Sequence, residues 1–288
     1  MIMKDINKSA QIKLFISRFV VYAILIFLSF LCLFFFYLMF VNATRSNGEL
    51  QSGFTLVPSG NFFTNFYNAW HDGDINIPVG MKNSFIVAIL SAALTTYFSA
   101  LTAYGTYVYN FKFKVLAHLF ILAIMMIPSQ VSAVGFIQLA FKYNLTNKLW
   151  LLIVPAIAAP SCYFYMRQYL EATLPLEMVE AARIDGSNEF RIFNEIVLPI
   201  MRPAIAVQAI FSFVGSWNNY FMPSLLLNKP EVKTVPVMIA TLRSADYTKF
   251  EMGKVYMLML MAILPVMVIY IILSKSIIKG VTSGSVKG

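Results

Sequence analysis

Glu180-Ala181-Ala182-Arg183-Ile184-Asp185-Gly186, followed by Ile196-Val197-Leu198-Pro199, is a polar island between long apolar runs. It reads as helix, turn, helix at a membrane boundary. The alanine pair lets another backbone approach closely, and Asp185 with Gly186 predicts the end of a short helix, because glycine enters the left-handed conformation without a Cβ penalty. Ser187 is the expected N-cap of a second helix, which Pro199 is expected to stop.

Outward from this segment, the chain has 288 residues, 59% of them hydrophobic and only 12% charged. A soluble domain carries roughly 25% charged residues, so the chain is read against a bilayer, where a span needs about 20 apolar residues. Six stretches qualify: Phe19 to Val41, Asn83 to Tyr109, Val115 to Phe141, Leu149 to Met166, Pro203 to Leu227 and Val255 to Ser274. The expected fold is all-α, a polytopic membrane protein with about six transmembrane helices. Residues 1–18 form an N-terminal segment, 19–41 the first span, and 42–81 an outer loop. Residues 82–279 form the core, with the polar loop at 171–201, and 280–288 form a tail.

The net charge of +9 does not form a nucleic-acid patch, because the basic residues sit at span ends. Lys4, Lys8, Lys13 and Arg18 precede the first span, Arg167, Arg183, Arg191 and Arg202 surround the polar loop, and loop 42–81 holds Arg45 as its only Lys or Arg. This bias predicts cytoplasmic N- and C-termini, although Lys229, Lys233, Arg243, Lys249 and Lys254 then fall outside. The first apolar run exceeds the roughly 7–15 residues of a signal peptide and reads as a retained anchor. Cys32 and Cys162 lie in different spans, so neither a disulfide framework nor a metal site is expected. The aromatic residues of loop 42–81, Phe54, Phe62, Phe63, Phe66, Tyr67 and Trp70, predict a packed cap. It serves either as a docking ledge or as an aromatic belt.

Catalysis has little to work with: the chain has no phosphate-binding G-x-x-x-x-G-K-[ST], no His-Glu-x-x-His, no G-x-S-x-G, and two histidines, His71 and His118. No Asp, Glu, Lys or Arg lies within the six stretches, which disfavours an ion-coupled carrier, since such carriers place ionisable groups near the midplane. A neutral polar solute such as a sugar needs no counter-ion. The candidate pathway residues are Asn83, Ser99, Gln130, Gln208, Trp217, Asn218, Asn219 and Tyr220, with Ser84, Thr95, Thr102, Ser129 and Ser212 beside them. Each either bonds a neighbouring helix or faces a wet path, because an unpaired polar group in lipid costs several kcal/mol, roughly. The 217–220 cluster combines a stacking face with amides. Pro128, Pro155 and Pro160 predict kinks, which are either a gate or ordinary membrane-helix irregularity.

The spacing Glu-Ala-Ala, three residues, Gly, then Ile-x-Leu-Pro resembles the signature cytoplasmic loop of permease subunits of binding-protein-dependent ABC importers. Leu174-Pro175-Leu176-Glu177, Phe193, Pro203 and Trp217-Asn218 are similar to the sugar-permease branch, in its maltose-type, short-first-loop form. Asn83-Ser84, Ile127-Pro128, Val235-Pro236 and the ending from Lys279 extend the resemblance along nearly the whole chain. It implies that Glu180, Ala181, Ala182, Asp185, Gly186, Leu198 and Pro199 couple to an ATPase, and that Ser285, Val286 and Lys287 reach the same interface. It also implies a multi-pass protein of a bacterial cell membrane, paired with a homologous permease around a path for an oligosaccharide or related carbohydrate. An ATPase dimer would carry ATP and magnesium, an extracytoplasmic sugar-binding protein would deliver solute, and this chain would hold no cofactor and catalyse no reaction. The rival readings are a secondary carrier acting alone and a membrane-embedded enzyme or scaffold.

Overall fold

Apolar runs become long helices where nothing interrupts them and broken ones where proline does. The computed structural model describes the backbone of residues 2–73, 75–242 and 251–285, and side chains within 13–73, 75–241 and 251–272. The described residues form helices and connecting loops with no strand. They divide into two compact units, 2–71 with 251–260, and 72–242 with 261–285.

In the first unit, α1 (Ile2–Ala43) is apolar on all sides from Phe19 to Val41 and exposed over nearly all of its described length. A helix of that kind is solvated by lipid. Its C-terminal carbonyls are closed by α2 (Asn47–Gln51) and α3 (Phe62–Trp70) and the loop around them. The buried Asn65 amide donates to the Ala43 and Arg45 carbonyls at 2.8 and 2.9 Å, satisfying acceptors that a helix end leaves open. The buried Arg45 donates to the Glu49 and Gly53 carbonyls. Ser46 and Glu49 form a reciprocal capping box, and the second Glu49 oxygen accepts from Ser59 Oγ at 2.7 Å. The aromatic residues expected to pack this loop do not do so within the chain: Phe54, Phe63, Phe66, Tyr67 and Trp70 are exposed and Phe62 is half-buried, and the polar contacts of Arg45, Glu49 and Asn65 hold the loop instead.

The second unit is built on α4 (Ile77–Val108), whose buried Ala88, Ser91, Ala92, Ala100 and Ala103 allow close helix approach. The third apolar stretch is two helices, α5 (Lys114–Met125) and α6 (Ser129–Lys142), meeting at 92°. Pro128 between them is extended, at φ −56° and ψ 129°; it has no N–H to give and its ring disfavours helix at Ile127. The fourth stretch is α7 (Trp150–Ile153), a 3₁₀ turn at Val154–Ile157, and α8 (Pro160–Thr173). Pro155 and Pro160 each open a new helix, and α4 compensates the broken backbone: Thr95 donates to the Ala156 carbonyl at 2.8 Å, and Ser99 more weakly to Ala159 at 3.5 Å.

After α8 come α9 (Leu176–Ile184), α10 (Glu189–Arg191), a π segment at Ile192–Val197, and α11 (Leu198–Trp217). Two expectations fail here. Asn188, not Ser187, caps the second helix, its Oδ1 accepting from Arg191 N at 2.8 Å. Pro199 does not stop that helix but sits in the first turn of α11, because the π segment before it shifts the hydrogen-bond register and a first-turn proline needs no donor. Then follow α12 (Phe221–Leu226), a 3₁₀ turn at Pro230–Val232, α13 (Val235–Leu242) and α14 (Met252–Ser285), with α11 and α8 packing along α4.

Five of the six expected stretches therefore fall on α1, α4, the α5–α6 pair, the α7–α8 series and α14, while Pro203 to Leu227 runs past the end of α11 at Trp217 into α12. Among the described residues, four uninterrupted helical stretches are long and apolar enough to cross a membrane, five if the bent pair is one span. In the α7–α8 series no helix exceeds 14 residues.

Candidate functional site

Local chemistry ends α9 sharply. Gly186 has φ +79°, Gly186 N donates to the Arg183 carbonyl and Ser187 N to the Ala182 carbonyl, each at 3.0 Å. That pattern is a Schellman termination, which glycine favours because other residues are strained there. Val179 and Ala182 are buried in a cluster with Ala100, Ala103, Tyr104, Leu170, Phe193 and Val197. This leaves Glu180, Ala181, Asp185 and Gly186 outward, beside the apolar side chains of Ile184, 86% exposed, and Phe190, 73% exposed. Both place large apolar surface on a charged loop. Of the seven expected coupling residues, Ala182 thus faces the chain's own core. Leu198 and Pro199 lie apart from α9, lining a cavity of ≈ 490 Å³ with Tyr97, Asn194 and Arg202.

Charge holds the loop's two helices together. Arg183 Nε donates to Glu189 Oε1 at 2.6 Å, raising Arg183 further above its ordinary range. The guanidinium lies 5.3 Å from the Tyr109 ring centroid, a cation–π contact.

The expected pathway residues do not form one site. Asn83 is buried and donates to the Glu231 and Lys233 carbonyls at 2.9 and 3.0 Å, while Ser99 faces α8. Gln130 is exposed in the first turn of α6, accepting from Ser129 Oγ at 3.3 Å. Trp217 is buried: its indole N–H donates to the Ala262 carbonyl at 3.1 Å, and its ring stacks on Phe213 at 5.8 Å and meets the Phe85 edge at 4.8 Å. With Asn218 and Tyr220 it borders a cavity of ≈ 580 Å³ whose other walls include Val235, Pro236 and Ile263.

Gln208 and Asn219 instead open onto a different cavity, of ≈ 390 Å³, between α4, α8 and α11. Its walls mix hydroxyl and amide groups, Ser91, Thr95, Ser161 and Ser212 among them, with the apolar Leu152, Cys162 and Phe211, and hold no charged residue. Ser91 Oγ is buried and has no hydrogen-bond partner among the described residues. Such an atom normally has water or a ligand against it. His118 is bonded to Tyr163 Oη at 2.9 Å, and that hydroxyl also meets Thr106 Oγ1 at 3.0 Å. No group of three or more His, Cys, Asp and Glu among the described residues is arranged to hold a metal ion. Ser285 ends α14, its side chain undescribed, and Val286 and Lys287 lie outside the described residues.

The family model described as binding-protein-dependent transport system inner membrane component matches residues 95–277, from mid α4 through the loop into α14. The chain belongs to this family. The permease is 34% identical over 268 residues to the arabinooligosaccharides transport system permease protein AraQ of Halalkalibacterium halodurans, covering 91% of this chain and 94% of the relative. It is 30% identical over 235 residues to the maltodextrin transport system permease protein MalD of Streptococcus pneumoniae, covering 80% and 78%. A solved bacterial ABC transporter involved in the import of the acidic polysaccharide alginate has a chain of the same fold, with TM-score 0.76 at 19% identity, covering 89% of the permease and 95% of that chain. The permease is a multi-pass membrane subunit of an ABC importer, not an enzyme.

Three side chains that join the bundle of the permease to its polar loop escaped sequence reasoning. Tyr97, Tyr104 and Tyr107 of α4 aim their hydroxyls at the loop: to Asn194 Oδ1 at 3.4 Å, Glu189 Oε2 at 2.8 Å and the Leu174 carbonyl at 3.1 Å. Their spacing of seven and three residues, which puts them on one helix face, was the available signal.

Proposed function

We propose that the permease, with a homologous subunit, lines the path of a neutral oligosaccharide across a bacterial cell membrane, with both termini on the cytoplasmic side. The charge-free cleft between α4, α8 and α11 carries this reading, because its hydroxyls and amides match a solute of hydroxyl groups and leave an ion without a counter-charge. Gln208, Asn219 and Ser91 are its contact groups. Trp217 backs the wall of the path rather than stacking on solute. The oligosaccharide relatives AraQ and MalD favour the same substrate class.

Drive comes through α9. Glu180, Ala181, Ile184, Asp185 and Gly186 seat in an ATPase dimer that holds ATP and magnesium, and Leu198 and Pro199 follow as the first turn of α11. Closure of the ATPases on ATP pushes the loop, the bundle switches between two states, and an external binding protein releases sugar into the cleft. The tail from Ser285 through Lys287 contributes a further ATPase contact.

The test is affinity capture of the tagged chain in mild detergent, with mass spectrometry and ATPase assays, beside Gly186→Pro. Proline cannot adopt φ +79°, so the Schellman turn is lost while the spans insert normally. A second permease and an ATPase are expected with the wild-type chain, and the ATPase or its stimulation should be lost in the variant. Recovery of the chain alone, with uptake in liposomes that needs no ATPase, would overturn the reading.

A further inference from the structure

The loop is tied to the bundle covalently at both ends, its first helix following α8 through Leu174 and Pro175, and by side chains to α4. Its second helix continues covalently through the π segment into α11, whereas its attachment to α4 is made by side chains alone. Among the described residues, Glu189 is the one carboxylate that reaches both helices flanking the turn and α4: it stands at the start of α10, accepts from Arg183 of α9, and accepts from Tyr104 of α4. The Tyr104 hydroxyl belongs to a side chain only 2% exposed, wedged between Tyr109 at 5.9 Å and Phe193 at 5.5 Å, so it has little freedom to follow a displaced partner.

We propose that Glu189 is the positioning residue that makes α4 move with α9, its carboxylate gripping Arg183 with one oxygen and Tyr104 with the other. This deepens the reading of α9 as the point of drive and rests on it. The ion pair is half exposed, with Arg183 and Glu189 side chains 37% and 43% accessible, and such pairs add little to stability. Geometry is what it supplies. Without Glu189, α9 keeps its covalent paths to α8 and α11, its apolar seat through Val179 and Ala182, and the Arg183 contact with the Tyr109 ring at the end of α4, but it loses the carboxylate that ties Arg183 to Tyr104 within that helix.

The test uses the intact importer complex purified from membranes, with Cys32→Ser and Cys162→Ala as background and spin labels at Glu177→Cys on α9 and Leu101→Cys on α4. In the otherwise wild-type complex the distance distribution is expected to stay single and unchanged when a non-hydrolysable ATP analogue and magnesium are added. In Glu189→Gln and in Tyr104→Phe the analogue is expected to add a second, displaced distance, with basal ATPase no longer responsive to the binding protein. Glu195→Gln, which breaks only the Arg191 pair, should behave as wild type. An unchanged distribution in both joint variants, in complexes that retain the ATPase and bind the analogue, overturns the role of Glu189 alone. Absence of an ATPase from the wild-type complex overturns the drive point and the joint together.

Discussion

Trp217 shows how a residue's neighbours choose between two roles its chemistry allows. An indole beside two asparagines reads as a sugar platform, but here its N–H is committed to Ala262, its ring stacks on Phe213, and Phe85 packs against it in a T-shaped contact. Trp217→Phe removes one hydrogen bond, a loss of about 1 kcal/mol. The expected result is a lower thermal midpoint for the solubilised complex, with an unchanged KM for maltotriose or an arabinooligosaccharide. A shifted KM at an unaltered midpoint would place the solute on the ring. Gly186 is the opposite case, legible in advance because only backbone conformation is asked of it: a Cβ there meets no atom within 4 Å, yet φ is +79°. Asn83 and Ser99 were not legible, since a helix-bound amide or hydroxyl looks the same in sequence whether it faces a carbonyl or a cavity.

Among the elements, proline's effect depended on what stood beside it. Pro128 separates α5 from α6 at 92°, as a missing donor within an apolar helix predicts, whereas Pro199 is absorbed because the π segment before it has already changed the register. Nothing in the composition of residues 192–197 announces that segment. The α1–α3 connection has its own electrostatic lock. Backbone N–H donation from Ser46, then the Ser59 and Ser46 hydroxyls, hold the Glu49 carboxyl below its ordinary range. A depressed folded value means stabilisation that is present above the ordinary carboxylate range and lost as pH falls through the folded value. Hydrogen-exchange protection of residues 46–61, corrected for intrinsic rates, is therefore expected to fall on acidification below about pH 4.5. Glu49→Gln should show reduced protection at neutral pH and no such dependence.

Across the whole molecule, the described spans combine an apolar exterior on α1 with an uncharged cleft against α4. A cleft lined by no charged residue offers a coupling proton no carboxylate or lysine to titrate. Uptake by cells carrying the complete importer is therefore expected to survive collapse of the proton and sodium gradients while ATP is maintained, and to stop when ATP hydrolysis is inhibited. Loss of uptake on ionophore addition at constant ATP would return the chain to the ion-coupled class.

Sequence by itself determined the helical membrane class, the apolar stretches, the polar loop and its glycine stop, because each depends on local hydropathy or on one residue's backbone freedom. It also determined the family, through the spacing from Glu180 to Pro199. Tertiary structure alone decided which polar residues tie helices together and which open onto the cleft. It sent Ala182 inward, left Ile184 and Phe190 outside, and set the α4 tyrosines against the loop. The physical reason is that a hydroxyl or amide in a bilayer must find a partner, and the partner lies 60 to 150 residues away in the chain for Thr95 and Asn83.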